Sequence, residues 1–352
     1  MSEGLEIASH RGPYRVRFST GRPFAELASL DSAVALVDAN VARLYAADLA
    51  ALGGTFHWLE IDASEDAKSL ERIAGYVTRL SALGLRRGQP LVAVGGGVVQ
   101  DIACFIAAIY MRGVDWVFHP TTLLAQADSC IGSKSSINVG GFKNLVGTFT
   151  PPAEVVVNPV VLDTLSDAEI RSGIGEMLKV HAIKGPAAFD RLAADYGALR
   201  RDRATLLRYV RDSLSYKQEL IEVDEFDRGP RLVMNYGHTF GHALEAATGY
   251  GVPHGIAVTV GMDMANRMAV TLGVGSELHR ARMHPVLSAN YAGGLPPVPE
   301  DRFFDAIGRD KKSTAGQITL ILPDATGQIR RGLYPNDDLF RQGCREALAS
   351  LQ

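Results

Sequence analysis

The stretch LVAVGGGVVQDIACFIAAIYMRG, residues 91–113, decides the fold of this chain. A short apolar run typical of a buried strand leads into Gly95, Gly96 and Gly97, and an apolar segment of helical length follows. A strand that turns through glycines into a helix is the building unit of parallel α/β folds. Such glycines let backbone N–H groups approach an anion, although an ordinary tight turn would use them equally well. The spacing differs from the G-x-G-x-x-G motif of dinucleotide-binding proteins.

Similar strand-like runs lie on both sides of this unit. YRVRF, VALVDA, FHWLEI, VDWVFHP and AEVVVNP predict strands, and DAKSLERIAGYVTRLSALG predicts an amphipathic helix. Beyond about residue 160 long helical patterns begin, with a capping box at Ser166 and Glu169, and one late strand pair, QITLILPDATGQIRRGLY, interrupts them. We therefore predict an α/β domain with a Rossmann-like, mostly parallel sheet over residues 1–160, and a mainly α-helical domain over residues 161–352.

The composition excludes several functional classes. Apolar residues make up 47% of the chain and charged residues 21%, which is ordinary for a globular protein. A net charge of -3 gives no electrostatic reason to expect nucleic acid as a partner, and no apolar run has the length of a membrane helix. The amino terminus lacks the apolar core of a signal peptide, and three widely spaced cysteines predict no disulfide framework. We therefore expect a cytoplasmic protein.

Three of the nine histidines lie in NYGHTFGHALEAATGYGVPHG, residues 235–255. His238 and His242 are four residues apart and would share one face of a helix, while His254 follows in a turn flanked by glycine and proline. Together with Glu176 in GIGEMLK they offer the carboxylate and imidazole ligands that suit a divalent metal, zinc above all. A lone histidine is more often a packed or surface residue, so the clustering carries this hypothesis. The residues alone leave open whether His238 and His242 share one task or divide two.

The segment HPTTLLAQADSCIGSKSSINVGGFKNLVGTF, residues 119–149, combines small residues with polar side chains just past a predicted strand. This pattern favours a loop that lines a ligand site over a solvated surface loop. The polar residues in question are Thr121, Thr122, Asp128, Lys134, Lys143 and Asn144. Four basic residues of the helical half would be ordinary solvated side chains unless another feature placed them in a site: Lys217, Arg231, Lys311 and Lys312.

In their order along the chain, these motifs resemble the 3-dehydroquinate synthase family and the wider group of sugar phosphate cyclases. The resemblance runs from about residue 38 to residue 315 and includes GGGVVQD, YMRG, PTTLLAQADS, KNLVGTF, GEMLK, RLVMNYGHTFGH and DKK. It implies the fold of that family, with NAD and a divalent metal, zinc or cobalt, as cofactors. It further implies a homodimer in which Arg112 reaches into the neighbouring subunit's site.

The resemblance also assigns residues to each cofactor. The NAD-binding residues would lie in the first domain: Asp38, Asn40, Glu65, Lys68, Gly95, Gly96, Gly97, Asp101, Thr121, Thr122 and Lys143. The metal ligands would be Glu176, His238 and His254. His242 would then not be a metal ligand. It would face the substrate phosphate and help to move protons.

The substrate would be held by polar residues from both domains. The phosphate would be surrounded by Lys134, Asn144, Asn235, His242 and one of Lys311 and Lys312. Ring hydroxyls would contact Asp128, Lys179 and Lys217, and Arg231 would bind a substrate carboxylate. The residues implied as catalytic are Asp128, Lys134, Lys179, Lys217, Arg231 and His242.

The implied reaction uses NAD without net redox change. A secondary alcohol of a sugar phosphate is oxidised transiently, phosphate is eliminated, the ketone is reduced again, and an intramolecular aldol closure forms a carbocycle. Arg231 favours the carboxylated substrate 3-deoxy-arabino-heptulosonate 7-phosphate, with 3-dehydroquinate as the product. Gln100, Ser133, Ser135 and Ile256 depart from the family's usual motifs, so a specialised cyclase that acts on another sugar phosphate, such as sedoheptulose 7-phosphate, stays open.

Two functions of other classes also fit parts of the pattern. An NAD-dependent polyol or glycerol dehydrogenase shares the two-domain plan, but it would accumulate NADH and would not need the lysine-rich phosphate set. A member without catalytic activity would be expected to have lost metal ligands, whereas Glu176, His238 and His254 are all present.

Overall fold

The computed structural model describes residues 4–30, 32–140, 142–293, 295–308, 313–314 and 316–351. Lys311 and Lys312, two of the residues implied for the substrate phosphate, lie outside the described residues.

The chain forms two compact units. The first contains Met1–Leu165 and Lys217–Phe226, and the second contains Ser166–Tyr216 and Asp227–Gln352. The first change of unit lies close to the boundary expected near residue 160. The helical sequence pattern did not indicate the return of Lys217–Phe226 to the first unit.

The first unit is built on a seven-stranded sheet with the strand order β1-β2-β9-β6-β5-β3-β4. Every neighbouring pair is parallel except β1 and β2. Its strands are β1 (Leu5–Ile7), β2 (Tyr14–Phe18), β3 (Ala33–Asp38), β4 (Phe56–Ile61), β5 (Leu91–Gly95), β6 (Trp116–Pro120) and β9 (Glu154–Val157). A separate hairpin joins β7 (Ile137–Val139) to β8 (Phe142–Val146). The mostly parallel sheet confirms the predicted fold class of this half.

Short helices connect the strands of the first unit. They are α1 (Ala39–Leu44), α2 (Ala46–Ala50), α3 (Leu70–Ala82) and α4 (Gly97–Ile109). Segments of 3₁₀-helix occupy Ala25–Ser29, Glu65–Lys68 and Pro159–Thr164. A turn with non-helical backbone at Met111 occupies Tyr110–Arg112, and a π-helical turn occupies Ala125–Ser129. β5 is buried along its whole length because it lies between β3 and β6, and this explains its uninterrupted apolar sequence.

The second unit is mainly helical, as predicted. Its helices are α5 (Asp167–Lys184), α6 (Pro186–Ala194), α7 (Tyr196–Leu199), α8 (Arg203–Val223, which continues into the first unit), α9 (His238–Ala247), α10 (His254–Thr271), α11 (Glu277–Tyr291), α12 (Glu300–Gly308) and α13 (Asp338–Ala349). A 3₁₀ turn, Pro230–Asn235, precedes α9. An antiparallel sheet pairs β10 (Ser313–Thr314), β11 (Gln317–Pro323) and β12 (Ile329–Pro335). The predicted capping box of Ser166 and Glu169 begins α5.

Helix α10 is the centre of the second unit, because it is buried along most of its length and packs against α5, α9 and α11. It approaches α5 so closely that a Cβ atom on Gly255 would overlap the carbonyl oxygen of Ser172. The Gly255 N–H instead donates a hydrogen bond of 2.9 Å to the Ser172 hydroxyl. On the facing side, a Cβ atom on Gly261 would overlap the carbonyl oxygen of Gly237. Glycine therefore sets the separation of α10 from both neighbours.

Two expectations from composition concern the chain as a whole. Among the described residues, no helix is both long and apolar enough to cross a membrane. Cys104, Cys130 and Cys344 are buried free thiols, in keeping with the absence of a predicted disulfide framework.

The close packing of α10 predicts the cost of a small substitution. Gly255→Ala is expected to lower the free energy of unfolding by more than about 2 kcal/mol, because the new methyl group must push α5 and α10 apart. Gly197→Ala is the matched control, since a Cβ atom there meets no atom within 4 Å. It should leave the free energy unchanged or raise it by up to about 1 kcal/mol. Urea unfolding of both variants measures this, and equal stability of the two would contradict the packing argument.

Candidate active site

A buried carboxylate and two imidazoles meet in the second unit. Glu176, on α5, is only 2% exposed. Its Oε2 lies 2.5 Å from the Nζ of Lys179, one turn further along the helix. Its Oε1 lies 3.4 Å from the Nε2 of His254 and 3.9 Å from the Nε2 of His238. The Oε2 atom of Glu176 therefore pairs with the Lys179 ammonium group. The Oε1 atom faces the two imidazoles that the resemblance assigns to the metal.

The opposite ring nitrogens of the two histidines face hydrogen-bond acceptors. The Nδ1 of His238 lies 3.2 Å from the carbonyl oxygen of Tyr236, and the Nδ1 of His254 lies 3.1 Å from the Oε1 of Glu245. A carbonyl or carboxylate oxygen accepts the Nδ1 proton and so directs Nε2 towards a metal. The sequence reasoning missed Glu245. This residue lies nine positions before His254 and on the same helix as His238, and that position was the available signal.

The electrostatics of this cluster suit the arrival of a cation. Burial acts to lower the pKa of His254, but hydrogen bonds to Glu176 and Glu245 outweigh it and raise the pKa to about 10. Burial, reinforced by Lys179 and the neighbouring imidazoles, lowers the pKa of His238 well below its ordinary value. The His254 ring therefore lies between two carboxylates, whose negative charges would also favour a divalent ion.

The donor set fits a divalent metal. Ligand atoms about 2.1 Å from a tetrahedral ion are separated by roughly 3.4 Å, close to the distances from Glu176 to the two imidazoles. The ligand nitrogens of His238, His242 and His254 also lie within 4.8 Å of one another. His242 differs from the other two in being exposed. Its ring lies edge-on to that of His238, with centroids 5.1 Å apart, and stacks on that of His254 at 5.7 Å.

A second buried ion pair lies in the first unit. The Nζ of Lys217 lies 2.6 Å from the Oδ1 of Asp128 and donates a hydrogen bond of 2.6 Å to the carbonyl oxygen of the same residue. Both residues are less than one tenth exposed. Lysine is seldom buried unless it is paired, and buried ion pairs with room for a ligand are frequent at functional sites.

Most residues implied for NAD lie at the carboxyl ends of neighbouring parallel strands. Asp38 ends β3, Gly95 ends β5, and Thr121 and Thr122 follow β6. This edge is where nucleotides bind in α/β proteins. In detail, Asp38 caps α1 by accepting hydrogen bonds from the N–H groups of Asn40 and Val41.

The glycine turn before α4 has the features of a phosphate cradle. Gly96 is the N-cap of α4, and no side chain of the described residues caps the helix there. A Cβ atom on Gly95 or Gly96 would crowd Val99 or Thr122, whereas one on Gly97 would meet open space. Uncapped N–H groups beside open space at a helix amino terminus suit the pyrophosphate of a dinucleotide.

Lys68 joins the remaining residues implied for NAD. Its Nζ lies 3.0 Å from Asp101 Oδ2, 3.1 Å from Asn144 Oδ1 and 3.4 Å from Glu65 Oε1. Burial raises the pKa of Asp101 to about 6 against the opposing effect of Lys68. Asn138, which the sequence reasoning missed, donates to Glu65 Oε1 at 2.9 Å and accepts from the Asn144 N–H at 2.9 Å. Asn144, implied for the substrate phosphate, thus lies in this network.

The other implied residues take varied positions. Lys143 contributes a positive charge near Glu65. Burial acts to raise the pKa of the Glu65 carboxylate, but the Asn138 hydrogen bond, Lys68 and Lys143 together outweigh it and lower this pKa. Arg231 is buried on the turn before α9, and the side chain of Asn235, at the end of that turn, donates to the Leu232 carbonyl oxygen at 3.1 Å. Lys134 and Arg112 are exposed.

Two family models and a curated relative match most of this chain. The family model described as 3-dehydroquinate synthase N-terminal matches residues 58–172, and the model described as 3-dehydroquinate synthase C-terminal matches residues 173–313. The 3-dehydroquinate synthase of Xanthomonas oryzae pv. oryzae is 40% identical over 308 residues, which cover 82% of this chain and 82% of that protein.

Solved structures of two cyclases are also similar. The 2-epi-5-epi-valiolone synthase of Streptomyces hygroscopicus subsp. jinggangensis, solved with NAD+ and Zn2+ bound, is 28% identical with a TM-score of 0.83 and covers 100% of this chain and 99% of that one. A 2-deoxy-scyllo-inosose synthase complexed with carbaglucose-6-phosphate, NAD+ and Co2+ has a TM-score of 0.84 at 24% identity, over 98% of this chain and 100% of that one. The second likeness shows the fold alone.

The histidine geometry predicts different tasks for His238 and His242, of which only the first binds the metal. His238→Ala is expected to weaken zinc or cobalt binding by more than about 100-fold, because even groups that only orient a ligand contribute about 10–100-fold. His242→Ala should retain about one equivalent of metal, since its exposed ring is assigned to the substrate. Metal content after dialysis, with a cobalt titration followed by absorbance, measures both variants.

His284→Ala is the matched control, because this histidine of the same unit pairs with Asp263 at 2.8 Å. It should bind metal like the unaltered protein. Equal loss of metal from the His238 and His242 variants would overturn the division.

Proposed function

Because the chain belongs to the 3-dehydroquinate synthase family, we propose that it converts 3-deoxy-arabino-heptulosonate 7-phosphate into 3-dehydroquinate with release of phosphate. It is an NAD- and metal-dependent carbon–oxygen lyase. The observation that carries the proposal is the buried Glu176 carboxylate facing the Nε2 atoms of His238 and His254, whose Nδ1 atoms are held by acceptors. This is the donor arrangement that a lyase of this kind needs.

The cofactors have defined places in the proposal. Glu176, His238 and His254 would hold a divalent ion, zinc or cobalt, which polarises substrate oxygen atoms when bound. NAD would lie along the strand edge formed by β3, β5 and β6, with its pyrophosphate at Gly96 and Gly97, and supplies the transient oxidation of a substrate alcohol.

The substrate carboxylate would be bound by Arg231. A guanidinium presents paired N–H donors that match a carboxylate in a bidentate manner, and burial strengthens such a pair. Arg231 lies on the turn that leads directly into α9, the helix of His238 and His242. One short segment would therefore fix the substrate carboxylate relative to the metal.

Two buried lysines would bind and orient the ring hydroxyls. Lys179 pairs with Glu176, which would hold the metal, so a hydroxyl near the metal would also meet an ammonium group. Lys217 and Asp128 together offer a donor and an acceptor, as a hydroxyl requires.

The phosphate would be received by a group of polar residues. Those in the proposal are Lys134, Asn144, Asn235, His242 and one of Lys311 and Lys312. The exposed imidazole of His242 would hold or move a proton as the phosphate leaves.

A second candidate is a cyclase that acts on an uncarboxylated sugar phosphate such as sedoheptulose 7-phosphate. It is favoured by the 28% identity to the 2-epi-5-epi-valiolone synthase over the whole of this chain. The departures from the usual family motifs also favour it. Among these, Gln100 and Ser135 are buried polar residues, and Ile256 is buried at the start of α10.

The two candidates differ in a measurable way. With NAD and zinc or cobalt, the protein is expected to release phosphate from 3-deoxy-arabino-heptulosonate 7-phosphate and much less from sedoheptulose 7-phosphate or glucose 6-phosphate. Arg231→Ala should lower kcat/KM for the carboxylated substrate by at least about 30-fold, because truncating one partner of a buried charged pair costs about 2–5 kcal/mol. NAD binding, followed by calorimetry, should not change.

Arg228→Ala is the matched control, since it removes an exposed guanidinium three positions earlier and should retain full activity. Full turnover by the Arg231 variant would reject the carboxylated substrate. A preference of the unaltered protein for sedoheptulose 7-phosphate would select the second candidate, and NADH accumulation with glycerol at 340 nm would identify a dehydrogenase instead.

We also propose that the protein acts as a homodimer in which Arg112 completes the neighbouring subunit's site. Met111 and Arg112 are consecutive residues with left-handed backbone, at φ values of 48° and 66°. Such conformations are unfavourable for side chains of this size and occur where a function requires them. Arg87 stabilises the turn by donating to the Met111 carbonyl oxygen at 2.8 Å, and Ile109 and Met111 present apolar surface beside the exposed Arg112.

Mixed dimers test this arrangement. Arg112→Ala and His238→Ala are each expected to be inactive, whereas coexpression of the two should restore about a quarter of normal activity. Half of the random dimers then contain one site with both His238 and the other chain's Arg112 intact. Sedimentation measures the dimer, and phosphate release measures the rescue. An inactive mixture would place Arg112 in its own subunit's site.

A further inference from the structure

Gln100 is a buried polar residue, and it stands where the usual family motif has glycine. It lies on α4 and is 6% exposed. Its Nε2 donates a hydrogen bond of 2.6 Å to the carbonyl oxygen of Ser129, and its Oε1 accepts one of 2.6 Å from the Ser129 hydroxyl. Both ends of the amide are thus bound to a single residue.

Ser129 ends the π-helical turn Ala125–Ser129 that carries Asp128. π-helical turns are rare and tend to occur at functional sites, since the wider turn changes where side chains and carbonyl groups point. Lys217 binds the Asp128 carbonyl oxygen, and Gln100 binds the next carbonyl oxygen along the chain. Two consecutive peptide groups of the turn are therefore each held by a buried side chain.

We propose that Gln100 is a positioning residue which, through Ser129, fixes the Asp128 carboxylate and the Lys217 ammonium group and thereby narrows the range of sugar phosphates accepted. The specificity part rests on the proposed function, because it assumes that Asp128 and Lys217 meet substrate hydroxyls. The positioning part rests only on the contacts within the first unit.

The chemistry of the amide explains why glutamine suits this place. Among uncharged side chains of this length, an amide offers a donor and an acceptor at once, as the carbonyl and hydroxyl of Ser129 require. A glutamate would keep the acceptor and lose the donor, and a methionine of similar size would lose both. A glycine would leave a void against the turn and two polar groups of Ser129 without this partner.

The position of Lys217 also depends on the turn as a unit. Its ammonium group is bonded to a backbone atom and a side-chain atom of Asp128. A shift of the turn therefore changes both contacts together. A well-held donor and acceptor pair discriminates between hydroxyl configurations, whereas a mobile pair adapts to several.

Chemical labelling tests the positioning role without using turnover. Gln100→Met is expected to raise the acetylation rate of Lys217 by about 10-fold, measured by peptide mass spectrometry under limiting reagent, because loss of two buried hydrogen bonds loosens the turn. Lys179 is the internal control, since it is equally buried and pairs with Glu176 in the second unit. Its labelling rate should not change.

Ser129→Ala provides a second variant that keeps the bond to its carbonyl oxygen. It should raise Lys217 labelling by about 3-fold on its own and add little to Gln100→Met, because both substitutions act through one contact. An unchanged labelling rate of Lys217 in both folded variants overturns the proposal. Circular dichroism establishes that the variants are folded.

Steady-state kinetics test the specificity role. Gln100→Met should raise KM for the preferred sugar phosphate by about 10-fold with kcat within about 3-fold, and should reduce the discrimination between sugar phosphates that differ in hydroxyl configuration by a similar factor. Faster labelling of Lys217 together with an unchanged KM for every substrate overturns the specificity role. Absence of turnover by the unaltered protein rejects the proposed function instead, and the labelling result still decides the role of Gln100.

Discussion

The second unit depends on how closely three helices approach one another. Backbone meets backbone where Gly255 on α10 faces α5, and again where Gly261 on α10 faces Gly237 before α9. Because interiors are packed at crystal-like density, a single added methyl group cannot be absorbed at such contacts. Each candidate metal ligand is the chain neighbour of a glycine at these crossings: Gly175–Glu176, Gly237–His238 and His254–Gly255. Helix spacing and ligand spacing are therefore set together.

Buried lysine and carboxylate pairs recur at every part of the candidate site. Lys68 with Asp101, Lys179 with Glu176, and Lys217 with Asp128 are all close ion pairs with lysines less than one tenth exposed. Such pairs gain little net stability, because desolvation offsets most of their attraction. Their value lies in keeping charges of both signs at fixed positions in a weakly polar environment, where polar substrates are bound and protons are moved.

The features that depend on neighbouring residues were predictable from the sequence. The strands predicted for the parallel sheet and the capping box of Ser166 appear where residue patterns placed them, and the fold class is confirmed. The turn predicted at His254 was wrong, because this residue is the first of α10. The features that depend on tertiary contacts were not predictable from the sequence. Glu245 was missed because its carboxylate resembles any surface glutamate until His254 folds against it. The apolar periodicity of α8 likewise continues through Tyr216 and Lys217, so it cannot reveal that the two residues belong to different units.

Helix α8 begins in the second unit and ends in the first, and this has a consequence for how the two units are encoded in the gene. The end of the helix and the residues after it fasten the amino terminus: Gln218 donates to the Glu6 carbonyl oxygen, and Glu225 accepts from the His10 N–H. Between the two stretches of the first unit lie α5, α6, α7 and most of α8, which belong to the second unit. Because each unit is interrupted in this way by residues of the other, neither unit is encoded by one uninterrupted stretch of the gene.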